Sequence, residues 1–236
     1  MQLALRLSAI ADMVTEGNRL VDVGCDHGYL PVYLVHTGRI PGAIAMDVRE
    51  GPLSRAREHI EDYSLSAYIE CRLSDGLEAL KAGEGDTLVI AGMGGPLMEQ
   101  ILTKGRKVRD SFSELILQPQ SDIPHFRRYL TEEGYSIREE NIVLDGGKFY
   151  PMMKAVLLKK PAEKEQLTEE EAFFGKFLLK QRNPVLKQYL ERENRIREQI
   201  LASLGEAKGD LASRRILEVR EEKQRILAAL AHYESI

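Results

Sequence analysis

The chain has no tryptophan, only two cysteines among its 236 residues, and aromatics at just 6%. Cys25 and Cys71 lack metal-ligand spacing, which argues against both a zinc site and a disulfide framework, so no metal is expected. A chain without disulfides suits a reducing compartment, and a cytoplasmic location is expected. No apolar run approaches the ~20 residues needed to cross a bilayer, so no membrane partner is expected either. Met1 to Val14 carries Arg6 and Asp12 inside its apolar pattern and reads as an amphipathic helix rather than a signal peptide. Positive charge is not in excess: the formal net charge is −4 and the pI about 5.8. That excludes a uniformly basic coat but not a local basic face. Repeats and low-complexity tracts are absent. Hydrophobic residues make up 43%, enough for one good-sized core, or one core and an appendage.

The pattern changes near Pro161. Before it, short apolar runs read as strands at Arg19 to Val23, Gly42 to Asp47, Ala67 to Leu73, Asp86 to Ala91 and Glu114 to Gln118. Helical patterns separate them, which predicts a parallel α/β sheet covered on both faces. Ser136 to Leu144 and Tyr150 to Lys159 flank Gly146-Gly147 and predict an antiparallel hairpin. After Pro161, apolar residues follow helical spacing from Leu186 to Leu204 and again from Leu211 to Leu230. Two helices joined by a turn containing Gly205 and Gly209 would form a coiled-coil hairpin. The expected division is therefore a catalytic domain over 1–160 and a helical hairpin over 161–236.

The first strand ends in Val21-Asp22-Val23-Gly24-Cys25-Asp26-His27-Gly28. Gly24 and Gly28 permit a sharp strand-to-helix turn and close approach of a ligand to the backbone. Such turns serve NAD, FAD and S-adenosylmethionine alike. Asp47 ends the second strand, where a carboxylate can accept ribose hydroxyls. Ser74-Asp75-Gly76 follows the third strand, suited to an adenine amino group. Ala91-Gly92-Met93-Gly94-Gly95-Pro96 follows the fourth and is expected to leave open space for a substrate. The spacing lacks the G-x-G-x-x-G of a pyrophosphate site, and Asp26 would repel one. A carboxylate is welcome beside a sulfonium and an amino group. Blander readings remain beside these. Asp22 can be a packed strand residue, Asp47 and Asp75 helix caps, His27 a loop stabiliser and Tyr29 a core residue. Cys25 is expected to pack.

With Tyr29-Leu30-Pro31, Ser74-Asp75-Gly76-Leu77, Ile90-Ala91-Gly92-Met93-Gly94-Gly95, Leu117-Gln118-Pro119-Gln120, Leu5-Arg6-Leu7 and Phe149-Tyr150, the chain resembles the bacterial tRNA (adenine-22-N1)-methyltransferases, the TrmK family. The resemblance spans essentially the whole chain. It implies a Rossmann-like class I methyltransferase sheet, mostly parallel with an antiparallel last strand, and a C-terminal coiled-coil appendage that binds tRNA. It implies S-adenosylmethionine as donor and N1 of adenine 22 of tRNA as acceptor. Cofactor contacts would come from Arg6, Asp22, Gly24, Asp26, His27, Gly28, Asp47, Asp75, Gly76, Gly92 and Met93. Gln118, Pro119 and Gln120 would border the substrate. Cys25 and Gln120 depart from the family pattern.

Adenine N1 holds an in-plane lone pair and needs no base, so alignment and electrostatics are the main tasks. Asp26, Gly92 and Met93 are the expected orienting groups, with Tyr29 as a possible stacking wall. The Asn/Asp-Pro-Pro-aromatic motif of N6 chemistry is absent after strand four. Residues 159–236 carry 16 Lys and Arg against 14 Asp and Glu. Local basic clusters lie at Lys104 to Arg109, Arg127-Arg128 and Arg214-Arg215; they are either solvated faces or phosphate grips. Arg195 and Arg197 face different sides of their helix, so at most one belongs to such a surface. A monomer or weak homodimer is expected. The competing readings are a methyltransferase with another acceptor, a non-catalytic RNA-binding module and, more distantly, an NAD oxidoreductase.

Overall fold

The computed structural model describes residues 2–159, 166–204 and 210–234. It divides into two compact units, Met1–Gln166 and Leu167–Ile236. The expected boundary at Pro161 and the turn at Gly205 to Gly209 both lie outside the described residues.

The first unit opens with α1 (Leu5–Met13), followed by β1 (Leu20–Val23), α2 (Tyr29–His36), β2 (Ala43–Asp47), α3 (Glu50–Asp62) and β3 (Ile69–Leu73). Then come β4 (Thr87–Met93), α4 (Gly95–Lys104), the single turn α5 (Arg106–Arg109), β5 (Glu114–Pro119), α6 (Ile123–Glu132), β6 (Tyr135–Asp145) and β7 (Lys148–Leu157). The seven strands form one sheet in the order β3-β2-β1-β4-β5-β7-β6. The first five are parallel, and β7 inserts antiparallel between β5 and β6.

Both faces of the sheet are covered, so its central strands are buried throughout, as in β1 and β5. Val89 and Ile116 join Ile10, Leu34, Leu53 and Ile60 of α1–α3 in one core. Their neighbours Leu88, Ile90, Leu115 and Leu117 point the opposite way and are fully buried too. At the foot of the sheet Glu114 accepts hydrogen bonds from the Thr15 amide (3.0 Å) and hydroxyl (2.6 Å) and from Thr87 Oγ1 (2.7 Å). This pins the end of the sheet remote from the strands' carboxyl termini.

In the second unit, Thr168 and Glu171 form a reciprocal capping box at the start of α7 (Glu169–Phe174), which leads through α8 (Lys176–Lys180). Asn183 Oδ1 accepts the Val185 and Leu186 amides, so Asn183 caps α9 (Pro184–Leu204) with Pro184 in the first helical position. α9 packs along α10 (Asp210–Ala231). The pairs Asn183–Tyr233 and Arg197–Glu222 run in opposite senses, so the helices are antiparallel. Leu186, Leu190, Val219 and Ile226 are buried, whereas Leu211 and Leu217 face solvent.

Candidate active site

The sheet order reverses between β1 and β4: from β1 the chain turns to β2 on one side, and β4 lies on the other. In open α/β sheets the crevice above the strands' carboxyl ends at such a point is where ligands bind. The turn after β1 sits there. The Gly24 and Cys25 amides both donate to Met46 O, at 2.8 and 2.9 Å, which ties the turn to β2. Gly24 has φ +78°, and a β-carbon there would collide with Met93 Cε. Gly28 caps α2 in the left-handed region, and a β-carbon would press on Ala56 of α3 at 3.2 Å. Cys25 packs in the core, as expected.

Four carboxylates lie at the carboxyl ends of the first three strands: Asp22 in β1, Asp26 in the turn after it, Asp47 at the end of β2 and Asp75 after β3. Asp22 is buried, accepts no hydrogen bond from the described residues, and has its pKa pushed up to about 7. Burial is the main cause, Arg6 opposes it and Asp47 adds to it, which places Arg6 and Asp47 within electrostatic reach. Asp47 is buried and its Oδ1 accepts the Arg49 amide at 2.9 Å. This local turn occupies one of its oxygens; Asp47 is not the helix cap, because the N-cap of α3 is Arg49, which has no side-chain cap bond. Asp26, with φ +51°, is exposed, 3.7 Å from His27 Nε2 and 3.8 Å from Arg55 Nη2. Arg55 was not foreseen, because a lone arginine on an amphipathic helix looks like a solvated one. Asp75 is exposed, and the turn after β3 is capped instead by Ser74, whose Oγ donates to Gly76 O and accepts the Ala79 amide.

The far wall corrects one expectation. β4 runs two residues past Ala91, through an irregularity at Gly92, so Met93 still pairs with Pro119 of β5. The following glycines do not open a space. A β-carbon on Gly94 would touch Ser121 Oγ at 3.0 Å, and one on Gly95 would strike Ser121 O at 2.7 Å. Their smallness admits the segment after β5. Gln118 is buried, and its Oε1 accepts both the Gly92 amide and Arg6 Nη1, each at 3.2 Å. The Gln120 amide donates to Met93 O, and its side chain is exposed. Two residues that sequence reasoning gave no role brace Arg6: Asp145 accepts its amide, and the Tyr150 ring lies 5.6 Å beneath its guanidinium. Tyr150 sits inside β7 rather than at its start.

Tyr29 is 43% exposed, so the core reading does not hold for it. Its ring stacks on His27 with centroids 5.4 Å apart and meets His59 edge-on at 4.8 Å. His59 Nδ1 also lies 3.1 Å from His27 O.

Two of the basic clusters are broken up by folding. Arg109 is buried against Asp110 (2.7 Å) and Glu133 (3.0 Å), and Arg127 against Glu140 (2.8 Å). These are internal ion pairs, not phosphate grips. In the second unit Arg197 pairs with Glu193 and Glu222, and Arg215 with Glu218 and Glu222. Among the described residues no His, Cys, Asp and Glu cluster fits a metal, and no helix is long and apolar enough to cross a membrane.

A seven-stranded sheet with a reversed last hairpin and an acidic, glycine-built rim defines a Rossmann-like methyltransferase, and the family model "Methyltransferase domain" matches residues 3–153. The tRNA (adenine(22)-N(1))-methyltransferase of Bacillus subtilis (strain 168) is 35% identical over 205 residues, covering 85% of this chain and 86% of that one. The crystal structure of the B. subtilis M1A22 tRNA methyltransferase TrmK superposes with a TM-score of 0.84 at 30% identity, covering 97% of this chain and 99% of that one. The structure of M. capricolum TrmK in complex with S-adenosyl-homocysteine superposes at 0.83 with 26% identity, covering 98% and 99%. The chain belongs to the tRNA (adenine(22)-N(1))-methyltransferase family.

Proposed function

We propose that this protein transfers a methyl group from S-adenosylmethionine to N1 of adenine 22 in tRNA, in the cytoplasm, as a monomer or weak homodimer. The observation that carries the cofactor assignment is the pairing of a buried, unpartnered Asp22 carboxylate with the Arg6 cation on one rim. Opposite charges so placed match the ammonium and carboxylate of an amino-acid moiety, which a dinucleotide lacks. With 6% of its surface exposed and no hydrogen bond from the described residues, the Asp22 carboxylate is left for a ligand to satisfy. Asp47 is placed to accept ribose hydroxyls, and Asp75 with Gly76 to receive the adenine edge. Gly24, His27, Gly28, Gly92 and Met93 complete the cradle.

When bound, S-adenosylmethionine supplies an electrophilic methyl group on a sulfonium. The protein's own part is alignment. Asp26 sits on the tip of the turn, where its charge favours the cationic groups of donor and product. The Gly92–Met93 backbone, held by Gln118, forms the wall along which the base enters, and Pro119 and Gln120 border it. Tyr29 offers a ring to stack against. No group must remove a proton from N1. The base must be unpaired or flipped to expose its Watson–Crick edge, at a cost of about a few kcal/mol. The hairpin expected over 161–236, of which α9 and α10 are described, is the tRNA-binding appendage in this reading.

The test is a labelled methyl-transfer assay on unmodified tRNA, followed by nucleoside mass analysis. We expect 1-methyladenine at position 22; its absence across a full tRNA pool would sink the proposal.

A further inference from the structure

A second cavity of about 470 Å³ lies within the first unit, between the β3–β4 connection and the α4–α5 corner. It is built by two glycine approaches. Gly76 lets the connection come so near α4 that a β-carbon would touch Ile101 at 3.0 Å, and Gly105 lets the corner meet Leu77, where a β-carbon would lie 2.5 Å away. The floor is apolar, with Leu77, Leu97, Ile101 and Val108. Its lining also carries three cations, Lys104, Arg106 and Lys107, and two acids, Asp75 and Glu78. Lys104 and Lys107 are exposed and form no ion pair among the described residues, while Arg106 reaches Asp110 and Glu133 only at 3.8 and 3.9 Å. The groove shares Asp75 and Gly76 with the proposed cofactor rim. α4 begins at Gly95 beside that rim, and its ten residues carry the cations about 15 Å away.

We infer that this groove holds a nucleotide of the substrate RNA flanking the target adenine. Its base lies on the apolar floor, and its phosphates meet Lys104, Arg106 and Lys107. Apolar side chains accept any base face, and unpaired lysines beside them attract the phosphates of a polyanion. The inference rests on the reading of this protein as a tRNA methyltransferase.

The test uses the full chain and an unmodified tRNA transcript. Lys104→Glu/Lys107→Glu should weaken tRNA binding about tenfold and flatten the log–log salt dependence by about 2. The KM for tRNA should rise in parallel, while kcat at saturating tRNA and the affinity for S-adenosylmethionine stay within twofold. Gln100→Trp, at an exposed position of the groove wall, should raise the tRNA KM by filling the floor without altering charge. Unchanged tRNA affinity and salt slope in the charge variant, or an unchanged KM in Gln100→Trp, would overturn the groove assignment even if methylation proceeds. Wild-type binding without 1-methyladenine would instead sink the methyltransferase reading, because the binding assay reports on the groove by itself.

Discussion

Arg6 and Gln118, 112 residues apart, meet through a 3.2 Å hydrogen bond whose acceptor oxygen also holds the Gly92 amide. One buried carboxamide thus sets the position of a cation and of the backbone beside Met93. Gln118→Ala should leave the Gly92 amide without a partner and release Arg6. Losing such a bond costs about 1–3 kcal/mol, equivalent to roughly a 5- to 150-fold fall in kcat/KM. Titration calorimetry should show weaker cofactor binding in this variant. If Gln118→Ala bound S-adenosylmethionine as tightly as the wild type, the brace would have no bearing on the site.

Asp22 makes a prediction about pH. Its native pKa of about 7 stands above the unfolded value of about 4. An acid raised in this way takes up a proton on folding. Its contribution favours the cofactor-free native state at acid pH and is lost as pH rises from about 4 to about 7. Asp22→Asn should therefore raise the melting temperature of the cofactor-free protein at pH 8 and change it little at pH 4. Binding a cationic ligand to ionised Asp22 must release that proton below pH 7. Cofactor affinity should climb as pH rises towards about 7 and then level off, with proton release visible as a dependence of the calorimetric heat on buffer. A flat affinity profile between pH 5.5 and 8 would refute the contact.

The parallel strands were legible because most are short apolar runs, closed by Gly24 after β1 and by Asp47 in β2, and β1 and β5 are buried along their whole length. The end of β4 was not. Ala91-Gly92-Met93-Gly94-Gly95 reads as a loop by composition, yet Met93 keeps its partner across the irregularity at Gly92. The burial of Arg109 and Arg127 within the basic clusters was hidden for a related reason. Charge density along a sequence carries no information on burial; Asp110 adjoins Arg109, but its second acid, Glu133, and the acid that pairs with Arg127, Glu140, lie 24 and 13 residues away. The acidic residues of the rim were visible as types at strand ends. Their division into a buried acid without a hydrogen bond from the described residues, a buried acid closing a local turn and an exposed acid depends on the packing of Arg6, Arg49 and Arg55 around them. In the helical unit a 3.6-residue period marked helices but not the stripe facing the partner, so Leu211 and Leu217 proved exposed.

Gly24 separates a conformational requirement from a ligand one. Its φ of +78° alone makes alanine cost about 1 kcal/mol. The added methyl would also push Met93 from the crevice floor, displacing a flexible side-chain end rather than backbone. Gly24→Ala should stay folded, with a melting temperature a few degrees lower, and lose at least tenfold in cofactor affinity. Gly38→Ala shares the positive φ (+71°) but faces open space and lies away from the rim. It should show a similar loss of stability and normal methyl transfer. Equal activity in the two variants would mean that the close approach at Gly24 does not shape the cofactor site.

Arg127 and Glu140 test the opposite claim, that part of the basic sequence serves the fold. Their side chains are 1% and 0% exposed and their ion pair is 2.8 Å long. Removing one partner strands a buried charge, so Glu140→Leu or Arg127→Met alone should each destabilise the protein by about 3–5 kcal/mol in urea unfolding. The double variant should recover most of that loss, because two apolar side chains of similar size leave no charge behind. An RNA-gripping arginine would behave differently: Arg127→Met would weaken tRNA binding at low salt with little change in the unfolding midpoint. The buried geometry requires a large shift in that midpoint, with tRNA affinity preserved in the refolded double variant.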